Sequence, residues 1–295
     1  MSISPPQTHA VWQAALQSKA NANMAPHCQN LLHQCSPKSA AHNKSFFALS
    51  VIVPKYLELV EILENFDPSN IKKSTATATK KFDEYMKVLR EAENDVFSSV
   101  SDFKTSAAPE FFLRMFHSMI HYHKATMLEV SGQRDIPVEM SFDIRTDDFI
   151  LARTQRVDAA IIVKTSLTVG GTELAGFCVP IFAAEIKTYF DKNMISGVDY
   201  SAAGMKSTFP HCLYYSIGEF ADFDIGAHSY ASGAIDEIFI LRHQKRSDFR
   251  KTKKADALDP TLICEILENV ERAIIDHQEK RPHLNVRMKS GKLIG

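Results

Sequence analysis

Residues 156–194 read RVDAAIIVKTSLTVGGTELAGFCVPIFAAEIKTYFDKNM, and how they pair decides the fold. Two apolar runs rich in β-branched residues, 157–163 and 177–186, stand either side of the turn-forming Gly170-Gly171. That pattern predicts two adjacent strands. Each carries an acid where a buried strand should have none: Asp158 one residue into the first, Glu185 near the end of the second. Lys187 follows two residues later. Side chains at i and i+2 of a strand share a face, so Glu185 and Lys187 point one way and Ile186 points into the core. If the strands pair as a hairpin with their charged parts in register, Asp158 joins them. Two carboxylates and an ammonium at one end of a sheet make a hard-cation site with a polarising charge beside it.

Outward from that stretch, the chain of 295 residues has room for one large domain or two small ones. Its 45% apolar and 23% charged residues are those of an ordinary soluble globular protein. A net charge of -1 excludes a bulk positive field, so any surface for nucleic acid must be local. The five cysteines form no CxxC pair and no even disulfide framework, which predicts reduced thiols in the core. MSISPPQTHAVWQ at the start has no basic region followed by an apolar one, and the longest apolar run, 46–63, is broken by Pro54, Lys55, Glu58 and Glu61. Neither a signal peptide nor a membrane span is expected, and the cytoplasm is the expected compartment.

Upstream, residues 8–21 suit a helix with Val11, Trp12, Ala15 and Leu16 on one face. The cluster His27, Cys28, His33 and Cys35 invites a zinc reading, but its spacing is not that of a finger and a helical face explains it better. Residues 44–66 read as a helix or two, broken or kinked near Pro54. The polar KKSTATATKK, residues 72–81, leads into an amphipathic helix with Phe82, Tyr85, Val88 and Leu89 inward. A loop over 98–108 precedes a strongly apolar helix over 109–127. On it, His117 and His121 have i, i+4 spacing without a third ligand. Glu110 in its first turn either offsets the helix dipole or completes a cation site. Weak alternation predicts strands over 138–145 and 149–153 around Thr146-Asp147-Asp148.

Downstream, a short helix over 199–207, strands over 212–217 and 235–241, and a Gly- and Ser-containing loop over 223–233 are expected. Residues 242–254 hold seven Lys or Arg against one acid. Lys245, Arg246, Arg250, Lys251, Lys253 and Lys254 are therefore the candidate phosphate-binding residues, with a solvated loop as the bland alternative. Asp259-Pro260 opens a last helix with Leu262, Ile263, Ile266, Leu267, Val270 and Ile274 on one face, before a basic tail from Lys280. The order of elements predicts a mixed α/β or α+β fold. Its expected parts are a helical region over 1–105 for recognition or dimerisation, a core over 106–245, and a basic segment with the last helix over 246–295.

The chain holds two acid-x-Lys triplets, and their settings differ. Asp102-Phe103-Lys104 lies in a Ser-rich polar loop with no strand before it. Glu185-Ile186-Lys187 ends an apolar strand whose neighbour carries Asp158. That second arrangement, with a helix following, resembles the PD-(D/E)XK nuclease superfamily over roughly residues 109–241, and KTYFDKNM most resembles type II restriction endonucleases. The group around BbvCI and DdeI, cutting sites related to CTNAG, is the one it looks like. Val157 stands where the motif has Pro, a departure many members share.

The resemblance implies a restriction-endonuclease-like core, a central mixed sheet flanked by helices, behind a helical N-terminal region. It implies that Asp158, Glu185 and the main-chain carbonyl of Ile186 hold Mg2+; Glu110 is a further candidate ligand only by its place in the first turn of its helix. Lys187 would orient or deprotonate the attacking water. The implied activity is Mg2+-dependent cleavage of double-stranded DNA at a short specific site, leaving 5′-phosphates, by a homodimer or a heterodimer with a second nuclease subunit. Two alternatives stay open: a DNA-binding or strand-specific nicking subunit of a heterodimeric endonuclease, and a DNA repair nuclease with the same core. A strand-end ion pair with no catalytic role is the bland reading of the three charges.

Overall fold

A computed structural model describes residues 5–21, 23–35, 43–91, 104–143, 145, 148–169, 171–174, 176–223 and 233–279. Its centre is a five-stranded sheet in the order β1-β2-β5-β6-β7. β1 (Leu128–Asp143) and β2 (Asp148–Val163) form a long antiparallel hairpin. β5 (Val179–Phe190) pairs antiparallel with β2 from Ala159↔Ala184 to Val163↔Val179. β6 (Leu213–Ala221) and β7 (Glu237–Ile240) then add in parallel. The sheet is therefore mixed, and the fold is α+β with a helical N-terminal region, as the element order predicts. Between β2 and β5, the two-residue strands β3 (Thr168–Val169) and β4 (Thr172–Glu173) pair across a turn that holds Gly171 at φ 86. Glycine alone adopts that φ without a Cβ penalty.

Alternation sends the two central strands into two cores. Ala159, Ile161, Phe182, Ala184 and Ile186 enter the larger one, and Ala160, Ile162 and Ala183 the smaller. A strand buried on both faces reads as a near-continuous apolar run, which is how these two appear in the sequence. The larger core is completed by α1 (Pro5–Lys19), α2 (Pro26–Gln34), α3 (Asn43–Glu64), α4 (Ile71–Glu91), α5 (Ala107–Tyr122) and, near the end of the chain, α8 (Pro260–Gln278). α5 lies directly on β1, β2 and β5. The smaller core is closed by α6 (Lys192–Thr208), whose Ile195, Val198, Ala202 and Met205 are buried there. Asp191 starts α6 by accepting from the Met194 N–H at 2.8 Å, so the helix begins directly where β5 ends.

Several expectations change in detail. α3 runs unbroken through Pro54, which stands on its exposed side while Ile52, Val53, Tyr56, Leu59 and Val60 are buried around it. Burial of that face outweighs the lost hydrogen bond. KKSTATATKK is part of α4 itself, with Thr75 and Thr79 buried. In α1, Trp12 and Leu16 are buried as expected, but Val11 is exposed. β2 is one strand through both predicted segments, and α6 is longer than residues 199–207. Asp259 caps α8 by accepting from the Thr261 N–H at 2.7 Å. All five cysteines are buried free thiols. No helix among the described residues is long and apolar enough to cross a membrane. Asp102 and Phe103, the turn at 146–147, the loop over 224–232 and the tail from residue 280 lie outside the described residues.

Candidate active site

The pairing of β2 with β5 ends at Ala159↔Ala184, and just beyond it the Asp158 side chain reaches the Glu185–Lys187 triplet. Asp158 Oδ2 accepts from the Ile186 main-chain N–H at 2.8 Å and from Lys187 Nζ at 2.7 Å. Lys187 Nζ also lies 2.8 Å from Glu185 Oε2. One ammonium thus bridges two carboxylates while Ile186, on the opposite face, fills the larger core. The Glu185 side chain is 12% exposed and that of Lys187 32%. The cluster is half sunk into the sheet and open on one side.

Its electrostatics are those of two acids with too little cation. Burial first, and then the charge of Asp158, push Glu185 up to about 7, against the opposing pull of Lys187. Lys187 is raised: burial alone would lower it, but the two carboxylates more than offset that. At neutral pH Lys187 is therefore a cationic donor. A second positive charge between the acids would remove the repulsion that raises Glu185. No group of three or more His, Cys, Asp or Glu gathers among the described residues, so two carboxylates are what a cation would find here. That donor set suits Mg2+, which binds through one or two carboxylates and keeps several waters.

Glu110 is not brought to this cluster. Its carboxylate is buried among the N-terminal helices, where it accepts from Arg114 Nε at 2.8 Å, from the Cys28 N–H at 2.8 Å and from the Tyr56 hydroxyl. With those donors taken it is the acid of a buried ion pair in the first turn of α5, apart from Asp158 and Glu185. His27 belongs to the same interior, bonded to Tyr85 and Ser106, and Cys28 and Cys35 are buried core thiols, so the zinc reading finds no support there. His117 and His121 line an open groove with Lys124, Glu129 and Lys164, apart from Asp158 and Glu185.

The basic run divides. Arg242 is 1% exposed and serves the core, reaching Glu219 at 2.8 Å and Asp83 of α4 at 2.5 Å. The remainder lies in and at the ends of the short helix α7 (Arg246–Thr252), seated beside β6 by the bridge between Ala221 and Lys245. Phe249 stacks on Phe220 with centroids 5.1 Å apart, and the Arg246 guanidinium lies 3.3 Å from the ring centroid of Tyr189, two residues beyond Lys187. Lys245, Arg250, Lys251, Lys253 and Lys254 are exposed, while Arg246 is half-buried and 3.5 Å from Asp222. An ordered basic edge therefore stands at the end of the strand that carries Glu185 and Lys187.

Three residues on β6 escaped the sequence reading. Tyr214 and Ser216 pair with Ala183 and Glu185, and both are fully buried. Gly218 pairs with Lys187, and a Cβ there would come 2.7 Å from the Phe190 ring. The Tyr-Tyr-Ser-Ile-Gly run reads simply as a strand; only the register puts it beside the acids.

The family described as Bpu10I restriction endonuclease matches residues 112–261, which contain Asp158, Glu185, Lys187 and the basic helix. Among solved structures, a chain of the one titled "native BbvCI A2B2 tetramer at low resolution" is similar, with a TM-score of 0.65 at 23% identity, covering 86% of this chain and 96% of that one. That likeness is one of fold. No curated protein matches.

Proposed function

The chain belongs to the Bpu10I restriction endonuclease family, and from that premise we propose that it is a type II enzyme of the PD-(D/E)XK kind. It hydrolyses double-stranded DNA at a short specific site, requires Mg2+ and leaves 5′-phosphates. The observation that carries this reading is the convergence of Asp158, Glu185 and Lys187, with Lys187 Nζ 2.7 Å and 2.8 Å from the two carboxylates.

Asp158 and Glu185, with the Ile186 carbonyl, would hold the Mg2+. When bound, the ion supplies Lewis acidity toward the scissile phosphate. The Ile186 N–H holds Asp158 in place from the main chain, so its carboxylate needs no reorganisation. Lys187, kept protonated by its two acidic neighbours, donates to the attacking water and to the phosphoryl oxygens on which negative charge develops. This favours the orienting role over proton abstraction. The exposed lysines and arginines around α7 neutralise neighbouring phosphates and position the duplex. An open cluster suits such a substrate, because a polymer lies across a surface.

A second reading is supported by the similar chain's membership of an A2B2 tetramer. This chain would then be one subunit of a heteromeric enzyme, each subunit cutting one strand; a homodimer is the alternative that also presents two centres to a duplex. Purified protein incubated with phage DNA in Mg2+ is expected to give discrete fragments, or discrete nicks if a second subunit is needed. None should form in EDTA. Cleavage that persists in EDTA, or a random smear, contradicts the proposal.

A further inference from the structure

Two buried hydroxyls stand unexplained beside the carboxylates. Tyr214 Oη and Ser216 Oγ are both sealed from solvent and meet no hydrogen-bond partner among the described residues. Buried polar groups are nearly always satisfied, and leaving one unpaired costs roughly 1–3 kcal/mol. The two are not scattered. They stand two residues apart on β6, so they share a face, and Ser216 is the register partner of Glu185. Packing does not explain the choice of residue, since Phe and Ala would fill the same space without the polar cost. The Tyr214 phenol is raised well above its ordinary range, by burial first and then by Glu185, Cys212 and Asp158. It stays a donor.

Building on the proposed cation site, we propose that Tyr214 and Ser216 are positioning residues that hold the inner side of the Glu185 carboxylate through a buried water. Such a water would have three partners: the two hydroxyls and Glu185. Buried waters make two to four hydrogen bonds, about three on average. The chemistry matches what metal sites require, because ligating carboxylates are themselves hydrogen-bonded, and losing such support costs about 10–100-fold in metal affinity. Lys187 holds the open side of Glu185 and the β6 hydroxyls hold the buried side. The carboxylate then meets a divalent ion in one orientation.

The test uses the full chain and Mn2+ alone, with the free aqueous ion followed by electron paramagnetic resonance. Wild type, Tyr214→Phe, Ser216→Ala and Asp158→Ala are compared, with thermal midpoints measured in the absence of metal. Tyr214→Phe and Ser216→Ala are expected to weaken Mn2+ binding about tenfold each. Their midpoints should lie within a few degrees of wild type. Mn2+ affinity within twofold of wild type in both variants overturns the proposal, and a raised midpoint with unchanged affinity identifies the hydroxyls as mere orphans. If wild type and Asp158→Ala bind Mn2+ equally, the cation site itself is wrong and both readings fall together.

Discussion

Glu185 bears the cost of the site. Its carboxyl is pushed from 4.5 up to about 7 by burial and by Asp158, so the folded protein holds a proton that the unfolded chain releases. Between those values the folded state binds more protons than the unfolded state, and stability falls as pH rises through the window. Above it, the charged carboxylate opposes folding in full. Glu185→Gln removes that charge. It should raise the thermal midpoint by a few degrees at pH 8, as about 1 kcal/mol does in a chain of this size, and give little gain at pH 4. Calorimetry at the two pH values checks this; an equal gain at both would contradict the assignment. The three charges of this site were legible because charge inside an apolar strand stands out. Glu110 was not, because its partners Tyr56 and Cys28 lie 54 and 82 residues away and nothing local announces them. Tyr214 and Ser216 were equally hidden, since a hydroxyl in a strand looks ordinary until the register sets it beside an acid.

At the level of elements, the basic run splits into a part that serves stability and a part that faces solvent. Arg242 joins β6 to α4 by pairing with both Glu219 and Asp83. Arg242→Ala should destabilise the protein by about 3 kcal/mol, the lower end for breaking a buried pair, because Arg90 still reaches Glu219 at 2.6 Å. Denaturant unfolding measures it, and a loss under about 1 kcal/mol would show the network to be ornamental. The exposed residues Arg250, Lys251 and Lys253 belong to the second part. Replacing all three with Ala should lower the slope of log affinity against log salt by about 0.9 for each phosphate that is no longer neutralised. Filter binding to a duplex in Ca2+ would show it; an unchanged slope would remove α7 from the DNA surface. Composition located this segment but could not divide it, because a buried arginine and a solvated one are spelled alike. The long β1–β2 hairpin was half read for a related reason. Arg134, Asp135, Glu139 and Arg153 interrupt its alternation, although backbone pairing continues through them with a register shift at Glu139.

For the molecule as a whole, the N-terminal helices and the sheet share one large core, in which Phe82 of α4 and Phe111 of α5 stack 4.2 Å apart and Phe116 meets Phe182 of β5. The face of the sheet that carries Ile186 is thus buttressed by helices, while the opposite face packs on α6 and carries Glu185, largely buried, and the partly exposed Lys187. The order of elements pointed to a mixed α/β or α+β fold, and the resemblance implied the layers; the order of strands did not follow from patterning, because β5 reaches β6 only through the crossover of α6. A packed sheet whose partly exposed Lys187 is distinct from the basic edge at α7 should bind DNA and cut it through separable sets of residues. Single-turnover cleavage and Ca2+-supported DNA binding by Lys187→Ala, set against wild type, test that separation most directly. Cleavage is expected to fall by about 10²–10³, with the dissociation constant within about threefold of wild type, a difference of under about 1 kcal/mol. Cleavage at the wild-type rate in that variant would contradict the assignment of this centre.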